Sequence, residues 1–170
     1  MELLALESPS QCTTFAITTY RPTEFVDLTE RIEAVIAETG LRQGVVNVQS
    51  LHTTAAIVVN EHEPLLLTDF AALLDRSAPR SGSYQHDNEA QRTVNLAPDE
   101  RANGHAHCQA LLLGTSVCLN VIRGQLHLGV WQRVFLVELD GPRRREVSVM
   151  AVGRSCPPEP RRRWIDRERA

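Results

Sequence analysis

After Gly114 the sequence runs through four strand-like segments in a row with no helix between them. "SVCLNVI" turns at Arg123-Gly124 into "QLHLG", and "VWQRVFLVELD" passes through "GPRR" into "REVSVMAVG". Short turns of Gly and Pro between β-branched runs join strands as hairpins. Parallel neighbours would need crossovers of a dozen residues or more, usually helical, and none is present here. This block therefore constrains the fold more than any other feature. It demands a largely antiparallel or mixed sheet and excludes a doubly wound one, so the expected class is α+β.

The first two thirds supply the helices. "QCTTFAITTY" reads as a strand, rich in Thr and aromatics. "DLTERIEAVIAETG" is an amphipathic helix, with Asp27 or Thr29 as cap, Ile32, Val35 and Ile36 as its apolar stripe and Gly40 as its stop. In "GVVNVQSLHTTAAIVVNE", Val46, Val48, Ser50 and His52 alternate with Asn47, Gln49 and Leu51. The near-continuous apolar run that follows fits a strand covered on both faces. Pro64 opens a second helix, "PLLLTDFAALLDR", with Leu66, Phe70, Leu73 and Leu74 expected inward. The pattern breaks from Ser77 to Gly104, a long loop of a kind that is often functional. "NGHAHCQALLLG" restarts a short helix, capped by Asn103 and stopped by Gly114. The expected order is β-α-β-α-loop-α-β-β-β-β: one domain with a mixed, largely antiparallel sheet and two to three helices.

Composition narrows the chemistry. With 170 residues, 42% apolar and 23% charged, the chain is long enough to bury one core without staples. No apolar run is long enough to span a bilayer, and "MELLALESPS" has no basic n-region, so a cytoplasmic location is expected. The cysteines Cys12, Cys108, Cys118 and Cys156 form no C-x-x-C pair and read as free thiols. All 18 basic residues are arginine, which rules out a Schiff-base lysine and a Walker-type phosphate lysine. Residues 154–170 hold six arginines against three acids, which leaves residues 1–153 at about −6. An acidic body argues against non-specific nucleic-acid binding. The Pro- and Arg-rich end, residues 154–170, reads as a disordered basic tail behind a domain of residues 1–153.

The histidines are the candidate chemistry. His52, His86 and the pair His105/His107 come from three separate places and could converge on a divalent metal as neutral imidazoles. Glu61, Asp87, Glu138 and Asp140 could supply oxygen ligands or hold the imidazoles. His105 and His107 lie two apart on a helix and diverge by about 200°, so His107 is preferred. Any one of these histidines has a bland reading as a core or surface residue, and His62 and His127 keep that reading. "DGPRRR" is either a hairpin turn with solvated charges or an anion clamp. "LGVWQ" is most simply a strand with an aromatic anchor. No H-E-x-x-H, G-x-S-x-G or Gly-rich phosphate loop occurs.

Taken in order, "HTTAAIVVNE", Asp69-Phe70 with Leu73, "YQHD", "NGHAHCQALLLGTS", "RGQLHLGVWQ" and "ELDGPRRREVSVMAVG" resemble the YjbQ family, often called secondary thiamine-phosphate synthases. The resemblance covers about residue 12 to Gly153. It implies a small α+β domain assembled as a homotrimer, and a site of His52, Glu61, His86 and His107, with Arg143 and Arg145 in the matching arginine cluster. Gly129, Val130, Trp131 and Gln132 depart from the family's usual Gly-Thr-Trp-Gln by one hydroxyl. The implied activity is condensation of hydroxymethylpyrimidine diphosphate with thiazole phosphate, giving thiamine phosphate and pyrophosphate. Mg²⁺ would assist the departing diphosphate, whereas a centre of His52, His86 and His107 suits Zn²⁺ better. Two alternatives stand beside it: a metal-dependent hydrolase built on those three histidines, and a non-catalytic trimer binding a small anionic metabolite. The expected partner is a small phosphorylated metabolite, with no nucleic acid and no membrane.

Overall fold

The computed structural model describes residues 10–96 and 100–155. The elements are β1 (Ser10–Thr18), β2 (Glu24–Asp27), α1 (Thr29–Thr39), β3 (Leu41–Ser50), β4 (Ala55–Glu61), α2 (Pro64–Ser77), a 3-10 turn (Gln85–Asp87), α3 (Gly104–Leu113), β5 (Ser116–Ile122), β6 (Gln125–Leu126), β7 (Gln132–Glu138) and β8 (Arg144–Ser155). They form a single α+β domain.

The strands make two sheets, β1-β8-β3-β5-β6 and β2-β7-β4. Every pairing among the described residues is antiparallel, so the expected mixed character resolves to a wholly antiparallel arrangement. Strand β2 was not legible beforehand, because its four residues run directly into α1. Arg154 and Ser155 belong to β8 rather than to a tail. The rest of the expected disordered segment, 156–170, lies outside the described residues.

Two cores explain the sequence pattern. In β7, Val134 and Leu136 point into one core, with Val46, Val48, Val147, Val149 and the α1 stripe Ile32, Val35 and Ile36. Phe135 and Val137 point the other way, onto Ala106 and Ala110 of α3 and Leu74 of α2. Strand β4 divides likewise, with Ala55 and Ile57 on one side and Ala56 on the other. Strands covered on both faces lose the polar alternation, hence the continuous apolar runs. Each larger apolar side chain buried in this way contributes about 1.5–3 kcal/mol.

The helix ends follow local chemistry. Gly40 closes α1 in the left-handed conformation, φ 66. Glu63 caps α2 by accepting from the Leu65 and Leu66 N–H groups, and these bonds hold its carboxyl below the usual range. Leu73, expected inward on α2, is exposed. The buried stripe is rotated towards Leu67 and Leu74, and Leu73 sits about 100° of helix away from Leu74. Trp131, expected as an anchor, is also exposed, at the entry to β7.

Two chain crossings between the sheets fall at one end of the domain. Residues 51–54 carry the chain from β3 to β4, and residues 139–143 carry it from β7 to β8. The first corner is tied to the start of β8, just beyond the second: the Leu51 N–H donates to the Glu146 carbonyl at 3.0 Å. The α3 N-terminus and the loop before it close over the same end.

Candidate functional site

A cavity of about 430 Å³ opens at this end. The first corner supplies His52, Thr53 and Thr54, and the second supplies Arg143 and Arg145. The loop after α2 brings His86, Arg92, Asn95 and Glu100, and α3 brings Asn103 and His107. Five of the six expected site residues therefore meet: His52, His86, His107, Arg143 and Arg145. Glu61 does not. It ends β4 opposite Gln132, about 20 Å along the strand from the corner at Thr54.

The floor is a buried ion pair. Glu138 and Arg145 are both almost wholly buried. Arg145 donates through Nε to Glu138 Oε2 at 2.6 Å, and its Nη2 donates to Glu138 Oε1 and to the Thr54 carbonyl at 3.1 Å. Glu138 also accepts from Thr19 Oγ1 and from the N–H groups of Leu139, Asp140 and Gly141. Burial alone would raise its pKa, but the Arg145 and backbone bonds outweigh that and hold it at about 2. Gly141 is needed for this wrap, since a Cβ there would lie 2.3 Å from the Arg21 carbonyl and 2.6 Å from Glu138 Cγ. Arg145 is thus consumed by the floor and is no clamp for a ligand.

Arg143 is placed differently. Its Nη2 pairs with Asp140 Oδ2 at 2.5 Å, while its Nε is buried with no hydrogen-bond partner among the described residues. Asp140 Oδ2 also accepts from Asn103 Nδ2 at 3.3 Å. Arg92 pairs with Glu100 at 3.0 Å. Each of the three arginines therefore has a carboxylate beside it, so the cavity offers oriented donors rather than a large positive field.

His52 occupies the corner because its ring ties the two crossings together. The Glu146 N–H donates to His52 Nε2 at 2.7 Å, so that nitrogen carries no proton and Nδ1 does. Burial, then the nearby Arg145 charge, lower its pKa and keep it neutral. His86 and His107 form a pair with ring centroids 4.5 Å apart. Burial and the neighbouring His86 lower the pKa of His107. His86 Nε2 lies 3.8 Å from Glu100 Oε1, too far for a hydrogen bond. His105 diverges from His107, as the helical spacing requires. It is buried against Tyr84, with ring centroids 6.4 Å apart, and burial followed by the Arg80 charge lowers its pKa.

The expected metal centre does not fit these positions. Among the described residues no group of three or more His, Cys, Asp or Glu side chains is arranged to hold a metal ion. Several of the candidates are already engaged. The Nε2 lone pair of His52 is taken by the Glu146 N–H, Glu138 and Asp140 face arginines, and Asp87 is a helix cap.

Sequence reasoning missed Arg92, Asn95 and Glu100, and saw Asn103 only as a cap. The length of the 77–104 loop was the one signal for them. Asn103 does stand at the N-cap position, but the Asp87 carboxylate does the capping, accepting from the Asn103 and Gly104 N–H groups at 3.0 and 2.8 Å. That frees the Asn103 amide for the cavity.

Residues 13–154 match the profile of a family described as "UPF0047 protein YjbQ-like". The chain belongs to the YjbQ family. A relative from Methanothermobacter thermautotrophicus, a UPF0047 protein, is 39% identical over 136 residues, 80% of this chain and 87% of the relative. YugU of Bacillus subtilis is 31% identical over 141 residues, 82% of this chain and 98% of its own. Among solved structures, a protein from Sulfolobus solfataricus P2, described as YbjQ-like and of unknown function, superposes with a TM-score of 0.78 at 32% identity, covering 87% of this chain and all of that one. A YjbQ protein from Clostridium acetobutylicum gives 0.72 at 32% identity, covering 82% and 98%.

These matches correct the expected activity. Both relatives are UPF0047 proteins, and the Sulfolobus protein is described as of unknown function, so membership in the YjbQ family does not carry thiamine-phosphate synthesis with it. The three paired arginines also leave no excess of positive charge for a departing diphosphate. The hydrolase alternative falls with its metal centre.

Proposed function

We propose that the cavity binds a small molecule through an oxyanion, a phosphate or a carboxylate, and that the His86–His107 pair can exchange a proton with it. The observation that carries this reading is the buried Nε–H of Arg143, without a partner among the described residues and held in the cavity wall by the Asp140 ion pair. A buried donor without an acceptor costs about 1–3 kcal/mol, and an oxyanion relieves that cost. The Nδ1–H of His52, fixed by the Glu146 bond, is a second donor on the same wall. The two imidazoles in ring contact supply a proton donor and acceptor beside the ligand.

Inorganic phosphate titrated calorimetrically into the wild type and into Arg143→Gln tests the reading. Wild type binds with a dissociation constant in roughly the millimolar range. The variant binds at least about tenfold more weakly, because a charge-assisted hydrogen bond is lost. The substitution also removes the ion pair of the buried Asp140, so the variant is titrated only at a temperature where circular dichroism shows it folded. Equal phosphate affinity in the two proteins would sink the proposal.

A further inference from the structure

We infer that the ligand of this cavity carries a hydroxyl within a few bonds of its oxyanion, so that hydroxylated phosphates or carboxylates are its chemical class. The inference rests on the oxyanion reading and extends it. Asn103 is almost wholly buried, and its Oδ1 has no hydrogen-bond partner among the described residues. Its Nδ2 donates to Asp140 Oδ2, the same atom that holds Arg143 Nη2. The orientation of the amide is therefore fixed. Reversing it would turn Oδ1 towards a carboxylate oxygen, acceptor against acceptor.

One carboxylate thus anchors two side chains and leaves one group of each unmatched. Arg143 presents a donor, Nε–H, and Asn103 presents an acceptor, Oδ1. Both side chains hang from the same atom, Asp140 Oδ2, on the wall of one cavity. A bare oxyanion satisfies the first and repels the second, since both it and Oδ1 are acceptors. A hydroxyl beside the oxyanion satisfies both. His86 Nε2, buried on the same cavity without a hydrogen-bond partner among the described residues, adds a group that can exchange a bond with that hydroxyl in either direction. A site built to bond a hydroxyl discriminates strongly against the analogue that lacks it.

The test pairs ligands that differ in their hydroxyls: glycerol 3-phosphate against propyl phosphate, and glycerate against propionate. Calorimetry on the wild-type protein is expected to give about tenfold or tighter binding for the hydroxylated member. The tighter of the two pairs identifies the oxyanion as phosphate or carboxylate. In Asn103→Ala, with folding verified by circular dichroism, the hydroxyl preference falls to less than about twofold while plain phosphate still binds. Equal affinity within each pair on the wild type overturns the hydroxyl inference and leaves the oxyanion reading intact. No binding of any of the four, nor of inorganic phosphate, overturns both.

Discussion

Glu138 shows how much a single side chain can organise. It is wholly buried, yet it stays charged because Arg145, Thr19 and three backbone N–H groups all donate to it. The carboxylate gathers the 139–143 corner around itself and fixes Arg145, which in turn holds the Thr54 carbonyl of the other corner. One ion pair therefore sets the spacing of both cavity walls. Glu138→Gln removes the charge and leaves the Arg145 guanidinium buried without a counterion. Breaking a buried pair from one side costs about 3–5 kcal/mol. A urea unfolding curve should show this as a large drop in midpoint at an unchanged slope. A loss below about 1 kcal/mol would mean that the pair does not hold the floor. The sequence placed both residues near a site, but it could not show that they face each other, because residues seven apart across a turn meet only when the register of the turn is known.

At the scale of the elements, α3 depends on a residue from another segment. Asp87 lies 16 residues before Asn103, yet its Oδ1 accepts from both N–H groups at the start of α3. The Tyr84 side chain packs where a Cβ on Gly104 would lie, 2.4 Å from Tyr84 Cβ. The loop and the helix are thus docked, which brings His86 against His107. Asp87→Ala should cost about 1 kcal/mol, the usual worth of a lost cap. It should also raise hydrogen exchange at the Asn103 and Gly104 amides and weaken phosphate binding, because His86 loses its placement. Unchanged exchange at those two amides would remove the docking role. Such a cap was illegible beforehand, since local rules assign it to the nearest polar residue, here Asn103. The helices themselves, the β5–β6 hairpin and the doubly covered β4 were legible, because their periodicity is set by local burial. The hairpin expected at "GPRR" is a crossing instead, with β7 and β8 in different sheets. The meeting of His52, His86 and His107 was visible only as a possibility, for it rests on two corners and a docked loop that no local pattern encodes.

For the molecule as a whole, three imidazoles held neutral make stability depend on pH. His52, His105 and His107 all have pKa values lowered from the ordinary 6.5, each mainly by burial. The Glu146 N–H at His52 Nε2 acts in the same direction, since a protonated ring could not accept it. Above pH 6.5 these rings are neutral in both folded and unfolded chains, and their contribution to stability is fully present. As pH falls below 6.5 the unfolded chain takes up protons that the folded chain refuses, so stability drops. The drop ends once pH has passed below the folded pKa values. Glu138, held at about 2, adds a separate loss that begins only as pH falls through the ordinary glutamate range near 4.5. Two steps are therefore expected on acidification, the first from the histidines and the second from the carboxylate. Thermal midpoints taken from pH 8 to pH 3 resolve them. In His105→Asn the first step should shrink while the second stays, because only one ring has been removed and the floor pair is intact. A midpoint that is flat between pH 7.5 and pH 5 would contradict the neutral-imidazole assignment, and with it the fixed Nδ1–H of His52 that the cavity presents to its ligand.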